Sequence, residues 1–491
     1  MAAQNQLHRI GTTRSHKPVC RWLMAGLAVI TSASIASTPT AHAQTGRDTD
    51  AFLIQQRGVR DRIWEQIDRE MPATQKVDFD FGGNYSFNLF IYDDGIESSR
   101  TFRRHDLRLW TRMAFDQGAH EIYARTRLSY LDFNTGDSYD GDDNDWNGAN
   151  LERGFYQFDL QRAMRAYANR DIDFNLKAKI GRDLVEFGTG LALSDILDHV
   201  AVTYSDSQWE LTGLAGKTVG SSQDFDLTRP TDRTRRAIFG TQLRYLGFEK
   251  HRPFAYVFWQ SDHNRETRPT WLQDYDYDSV YVGLGSTGEL AQNLAYSTEW
   301  VYEGGRSYGH REFYKRDVIK AWAFDIELEY LFDVPKHPRL STEYIFASGD
   351  PDRLVSPTDA SGGNRGDMRD SSFVGLGYRD TGLSFAPRLS NMHIWRVGAS
   401  FFPLEGDPTF DRLELGTNWF LYWKNRSDGA VSDPTADLQS GYLGWEMDYY
   451  ASWAITNDLS WTARYGLFFP GDAFSDQSSR SFFLTGMTWS F

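Results

Sequence analysis

The chain has 491 residues, of which only 40% are hydrophobic while 24% are charged and 15% aromatic. This excludes a bundle of membrane helices, and the unpatterned 42 Gly and 15 Pro exclude a collagen-like or low-complexity chain. A net charge of −15 argues against a nucleic-acid partner, and the single cysteine, Cys20, excludes a disulfide scaffold or thiolate metal cluster.

Residues 1–43 are predicted to be a secretory signal. Arg9, Arg14, Lys17 and Arg21 form a basic start, and the apolar stretch Trp22–Ala36 is too short to span a bilayer as a helix. Ala41-His42-Ala43 then offers a small-x-small cleavage site, and Cys20 would leave with the signal. The remainder carries 48 Lys and Arg against 67 Asp and Glu, a net −19. Residues 44–75 are predicted to be a periplasmic segment. It holds a helix over 48–70, from the four-residue spacing of Val59, Ile63 and Ile67 with Pro72 beyond.

From Val77 the period becomes two. Val77, Phe79, Phe81, Tyr85, Phe87, Leu89 and Ile91 alternate with polar or small residues, and Leu107, Leu109, Thr111, Met113 and Phe115 with Asp106, Arg108 and Arg112. The pattern returns in Trp322–Tyr330, Leu413–Leu421 and Leu443–Tyr449, so each strand carries one residue class per face. Strands are predicted at 76–92, 101–116, 119–133, 151–162, 171–182, 199–205, 207–217, 236–247, 253–262, 278–286, 292–303, 317–332, 339–348, 392–404, 411–425, 440–455, 458–470 and 479–491. Short turns (Gln117-Gly118, Thr456-Asn457) alternate with long polar loops (134–150, 263–277, 304–316, 349–389, 426–439). Long strands, that asymmetry and one ionised face predict an all-β fold over 76–491, a transmembrane antiparallel barrel of about 18 strands with a water-filled interior. The stretch 349–391 is a candidate to fold back into the pore. Phe483, Met487, Trp489 and Phe491 keep the register to a terminal aromatic, similar to the assembly signal of outer-membrane barrels.

Assigning the apolar face to lipid places Arg108, Arg112, Arg125, Arg127, Lys177, Lys179, Arg244, Arg396 and Arg464 on the inner face, with Arg182 near the end of its strand. Arg103 and Arg104 come from the same early strands. Rings of Arg and Lys select anions, and Arg binds carboxylates bidentately. Inward acids are Asp106, Asp173, Asp325, Glu327, Glu329, Glu343, Glu414, Glu446 and Asp448, so the lumen is mixed: basic early and acidic late. Cross-strand pairing within a filled interior would explain the same charges.

Other motifs are weaker. Asp140, Asp142, Asp143, Asn144 and Asp145 resemble the start of an EF-hand, but Asp145 stands where Gly is needed and Leu151 where Glu is needed. A solvated acidic loop is the simpler reading. Gly305-Arg306-Ser307-Tyr308-Gly309 matches G-x-S-x-G outside its strand–turn–helix context, so no enzyme is predicted. His393 sits on an apolar register, no metal-ligand spacing stands out, and no cofactor is predicted.

Three segments resemble the alginate-export family of outer-membrane porins, with the resemblance running from about residue 170 to the end. They are Ile180-Gly181-Arg182-Asp183, Tyr344-Ile345-Phe346-Ala347-Ser348-Gly349-Asp350, and Gly466-Leu467-Phe468-Phe469-Pro470-Gly471-Asp472-Ala473-Phe474 with the last strand. The last of these is the most specific. The resemblance implies a monomeric 18-stranded barrel with an arginine-rich constriction, gated by an external loop and a periplasmic turn. It implies an anionic polysaccharide as cargo and a periplasmic repeat-containing scaffold as partner. Arg182 and Arg464 would be constriction residues; Arg108, Arg112, Arg125 and Arg127 rest on register alone. The helix at 48–70 and the acids on 317–332 and 440–455 depart from the family. The expectation is a Gram-negative outer-membrane channel exporting alginate or a similar polyuronate. A general or small-solute anion porin of the same fold is the alternative.

Overall fold

The structure is a computed structural model that describes residues 77–491 apart from 96–98, 139–143, 221, 223–233, 264–276, 308–315, 354–355 and 358–367. The signal over 1–43, the helix over 48–70 and the acids Asp140, Asp142 and Asp143 lie outside the described residues.

Eighteen long strands form the wall. They are β1 (Val77–Asp93), β2 (Arg100–Phe115), β3 (His120–Phe133), β4 (Asn144–Asp159), β5 (Asn175–Phe187) and β6 (Leu193–Ser205). Next come β7 (Trp209–Thr218), β8 (Arg236–Tyr245), β9 (His251–Asp262), β10 (Asp278–Ala291), β11 (Leu294–Arg306) and β12 (Val318–Leu331). The ring is completed by β13 (Arg339–Ala347), β14 (Met392–Phe401), β15 (Leu413–Lys424), β16 (Tyr442–Ala454), β17 (Leu459–Pro470) and β18 (Arg480–Ser490). Each pairs antiparallel with its sequence neighbours, and β1 pairs with β18 from Asn84↔Ser490 to Asp93↔Ser481, so the barrel is closed. Closure of the ring is the condition for a sheet to cross a bilayer; its shortest seam is β4–β5, paired from Gly154↔Arg182 to Asp159↔Lys177.

The period-two alternation becomes two faces. Outside, Phe79, Leu109, Ile122, Val200, Leu211, Val282 and Val397 are exposed. Exposed aromatics mark both ends of this band: Phe174, Tyr204, Trp209, Tyr330 and Trp489 toward the short turns, and Trp259, Tyr302, Trp322 and Trp395 toward the long loops. That is the double aromatic girdle of a membrane barrel, and the short-turn end faces the periplasm. His393 is on this outer face with its Nδ1 2.7 Å from the Tyr344 hydroxyl.

Several boundaries differ from the predicted ones. β4 begins at Asn144, inside the expected loop, so Asn144 and Asp145 are strand residues. β5 runs on to Phe187 and β6 starts at Leu193, where no strand was predicted. Between β4 and β5 the chain forms a helix, α1 (Leu160–Ala168), instead of a continued strand. Asp159 caps it by accepting from the Arg162 N–H at 3.0 Å, and Asn169 ends it in the left-handed region at φ 49°. Asp173 lies in the linker after this helix and not on the inner wall.

The seam is tied by the last residue. The Gly83 N–H donates to the Phe491 carbonyl (2.8 Å), and the Phe491 N–H to the Gly83 carbonyl (2.9 Å). Deleting Phe491 removes both bonds and its ring contact with Trp489. The expected loss is about 1–3 kcal/mol, from the typical net worth of two backbone hydrogen bonds. It would be read as a lower urea midpoint for the lipid-embedded barrel; an unchanged midpoint would show that the seam does not depend on them.

Candidate functional site

The inner wall of β2–β5 is cationic. Even positions of β2 and odd positions of β3 face inward, which brings Arg104, Arg108, Arg125 and Arg127 together. Two carboxylates serve all four. Asp106 takes Arg104 Nε at 2.7 Å, Arg127 Nε at 3.1 Å and the Ser129 hydroxyl at 2.5 Å. Glu152 takes Arg125 Nε at 2.8 Å, Arg108 Nε at 3.1 Å and Arg127 Nη1 at 3.7 Å. Glu152 reaches them because of a bulge: Arg125 opposes Arg153 and Thr126 opposes Leu151, leaving Glu152 as the extra residue. Arg127 is the member that keeps the most contact with solvent, with 25% of its side chain exposed.

The neighbouring positions extend this wall. Lys179 (2.8 Å) and Arg153 (3.6 Å) share Asp183, Lys177 meets Asp159 at 3.8 Å, and Lys179 Nζ lies 4.4 Å from the centre of the Phe155 ring. Arg112 bridges Asp78 (3.4 Å) and Glu121 (3.1 Å) toward the periplasmic end. Arg244 faces inward on β8, 3.8 Å from Glu210 and 3.3 Å from the Gly188 carbonyl.

The opposite wall is covered. Residues 371–391 run along the inside of β10–β18 as a strap, continuing from a two-residue parallel pairing of Arg369–Asp370 with Val318–Ile319. Its first part docks on the tip between β5 and β6. The Leu376 N–H donates to Ala192 (2.8 Å), the Ser194 N–H to Leu376 (3.0 Å) and the Tyr378 N–H to Gly190 (3.0 Å). A methyl on Gly377 would stand 2.0 Å from the Leu191 carbonyl oxygen, so only glycine permits this approach.

The strap is held by the acids of the later strands. Glu303 accepts the Val374 N–H at 2.8 Å and is also bonded by the Tyr277 hydroxyl, while the Tyr281 hydroxyl donates to the Val374 carbonyl at 2.5 Å. Glu446 accepts the N–H groups of Leu383 (2.7 Å), Ser384 (2.6 Å) and Phe385 (2.8 Å), and Asp448 accepts Leu383 at 3.1 Å. Phe385 stacks on Phe468 with centroids 4.4 Å apart, and Leu383 packs into a cluster with Phe90, Phe102, Phe482 and Leu484. Arg379 is the central tie. It donates to Asp325 (2.8 Å), to the Thr189 carbonyl (2.9 Å) and to the Thr189 hydroxyl, with Glu343 at 3.8 Å and Glu299 at 3.9 Å. Burial works against its charge, but Asp325, Glu343 and Glu299 outweigh it and hold its pKa above the ordinary value. Arg396 stands beside it, 2.8 Å from both Glu343 and Glu327 and 3.4 Å from Asp380.

The inner register therefore holds Arg108, Arg112, Arg125, Arg127, Lys177, Lys179, Arg244, Arg396 and Arg464, the first six on the β2–β5 wall and the last three each apart from it. Arg396 belongs to the strap's anchor, and Arg464 lies on β17 with its guanidinium 6.0 Å from the Tyr450 ring centre. Arg182 is a correction. It lies on the outer face of β5 between Ile180 (55% exposed) and Leu184 (37% exposed), in bidentate contact with Asp198 at 2.7 and 3.1 Å. The continuous register Gly181↔His199, Arg182↔Asp198, Asp183↔Leu197 puts Asp183 and His199 inside and Arg182 outside. Arg103 is likewise on the outer face, paired with Asp132 at 3.1 Å.

Glu299, Glu303, Glu152, Thr189 and Arg379 were missed. Glu299 and Glu303 carried a signal, since they alternate with the outward Trp300 and Tyr302. Nothing in the sequence marks Arg379 as the tie.

The sequence model of the alginate export family matches residues 138–483. The chain belongs to the alginate export family. The match begins after β3, so Arg104, Arg108, Arg125 and Arg127 lie outside it. No curated protein sequence matches the chain. Its barrel is similar to the crystal structures of OccK5 (OpdH) and OccK11 (OpdR) from Pseudomonas aeruginosa and OccAB2 from Acinetobacter baumannii. The identities are 12%, 13% and 10%, with TM-scores of 0.50, 0.50 and 0.51. The alignments cover 84%, 86% and 84% of this chain and 98% of each of theirs, a likeness of fold. Family and barrel make the protein an outer-membrane channel and not an enzyme. Ser307 is accordingly a loop serine, 3.4 Å from Arg353 Nη2.

Proposed function

We propose that the channel exports an acidic exopolysaccharide, alginate or a similar polyuronate, along the cationic wall of β2–β5. The observation that carries this reading is the division of charge. Four arginines share two carboxylates on β2–β4, while the acids of β11–β16 that would oppose an anion are engaged by the strap, Arg396 and Arg339. Partial neutralisation suits transport, because a solute must be held weakly at several sites to move on. Feeding from the periplasmic side fits the scaffold partner that the resemblance implies. The second reading, a porin for small organic anions, is favoured by how far the 188–192 tip and the strap intrude into the interior.

The test is the mature chain refolded into planar bilayers under a salt gradient, with uronate oligomers of increasing length added on the periplasmic side. Polyuronate export predicts anion selectivity and a block that strengthens with chain length. Block by the monomer with no gain from length would favour the small-anion porin. Cation selectivity without block would end both readings.

A further inference from the structure

Outside the barrel, at the loop end of β10–β12, stands a group of charges that the channel does not use. Arg306 of β11 lies opposite Asp278 of β10 and Val318 of β12, and Lys320 of β12 lies opposite Gly304. Both share the outer strand faces with the exposed Tyr302 and Trp322, so both project away from the lumen, and both are exposed. Arg316 joins them from just before β12. Its Nη2 donates to the Arg306 carbonyl (3.0 Å), and Arg306 Nη1 donates to the Arg316 carbonyl (3.5 Å).

The carboxylate near this group is Asp278, and Arg316 takes it at 2.9 Å. Among the described residues, Arg306 and Lys320 have no carboxylate within ion-pair distance. Among the described residues, Arg306 and Lys320 thus stand as exposed cations beside the Arg316–Asp278 pair, on a chain whose net charge is −15. Their height selects the counter-ion. They lie directly beyond Tyr302, Trp322, Trp259 and Val280, all exposed in the lipid-facing band. The lipid headgroup begins at that level.

We propose that Arg306 and Lys320, supported by Arg316, bind the phosphate of a membrane lipid in the outer leaflet. The guanidinium supplies a planar pair of donors and the ammonium a mobile point charge, while the acyl chains lie over Tyr302 and Trp322. A polymer leaving the lumen passes the inner faces of these strands and does not meet these side chains.

The test uses the full barrel in detergent with bisphosphorylated lipid A or its dephosphorylated form, and retention is read by native mass spectrometry. The phosphorylated lipid is expected to stay bound and the dephosphorylated one to be lost. The double variant Arg306→Ser, Lys320→Ser should weaken binding about thirtyfold, on the order of fivefold for each cation removed at a charged lipid surface. Lys250→Gln, at the short-turn end, should leave retention unchanged, and heat-modifiable gel migration would show that every variant is folded. Equal retention of both lipid forms, or wild-type retention by the double variant, would overturn the proposal. Complete displacement by millimolar inorganic phosphate would also overturn it, by showing an ion site without lipid recognition.

Discussion

Replacing Arg379 with alanine should raise the single-channel conductance several-fold. The side chain ties the strap to three strands and to the β5–β6 tip at once, through Asp325, Glu343, Glu299 and Thr189. Its removal leaves buried carboxylates without their counter-charge. Breaking a buried pair in this way costs about 3–5 kcal/mol, enough to shift docking of the strap by a factor on the order of 10²–10⁴. The barrel itself should survive, because its closure rests on the strand ladders and not on the strap. Arg379→Lys keeps the charge but loses the planar fork, so an intermediate conductance is expected. Glu446→Gln attacks the same strap at its other end, where one carboxylate accepts three consecutive N–H groups. A folded Arg379→Ala barrel with wild-type conductance would show that the strap does not limit flow.

The architecture was legible because a closed barrel writes itself into the sequence twice, as a period of two along each strand and as the alternation of short and long connections. Val77–Ile91 and Leu107–Phe115 show the first, and Gln117-Gly118 against 349–389 the second. What stayed hidden depended on events that periodicity does not encode. A one-residue bulge at Glu152 changed which side chains of β4 meet the arginines. The helix over 160–168 was masked by the surrounding strand pattern, although Asp159 and Asn169 are ordinary cap residues. Arg182 was misplaced because it follows Lys177 and Lys179 in a run of basic residues. Lys177 and Lys179 are odd and Arg182 is even, so the strand turns it to the other face. The acids of the later strands were correctly read as inward, but their role was not visible. It depends on a strap over 200 residues away in sequence from the arginines that face it.

The sign of the selectivity can be set by two substitutions in one cluster. Arg127 is shared by Asp106 and Glu152 and is the most solvent-accessible of the four guanidiniums. Arg127→Glu converts an excess of two positive charges into balance, and Glu152→Gln raises the excess by one. The reversal potential should therefore move in opposite directions, toward cations for the first and toward anions for the second. A unit charge met at about 4 Å in water is worth on the order of 1 kcal/mol, or about fivefold in the anion-to-cation permeability ratio. Arg127→Glu should thus have the larger effect, since it changes the charge by two units. Both shifts should shrink at 1 M salt, where the Debye length falls to about 3 Å. Arg182→Glu provides the internal comparison: on the outer face beside Ile180 and Leu184, it should leave the reversal potential where it was. If Arg127→Glu and Glu152→Gln instead move it the same way, or not at all, the permeating ion does not pass this wall. The oligouronate path would then have to be sought beside Arg464 and Arg339, where Glu414 and Glu329 already compensate Arg339.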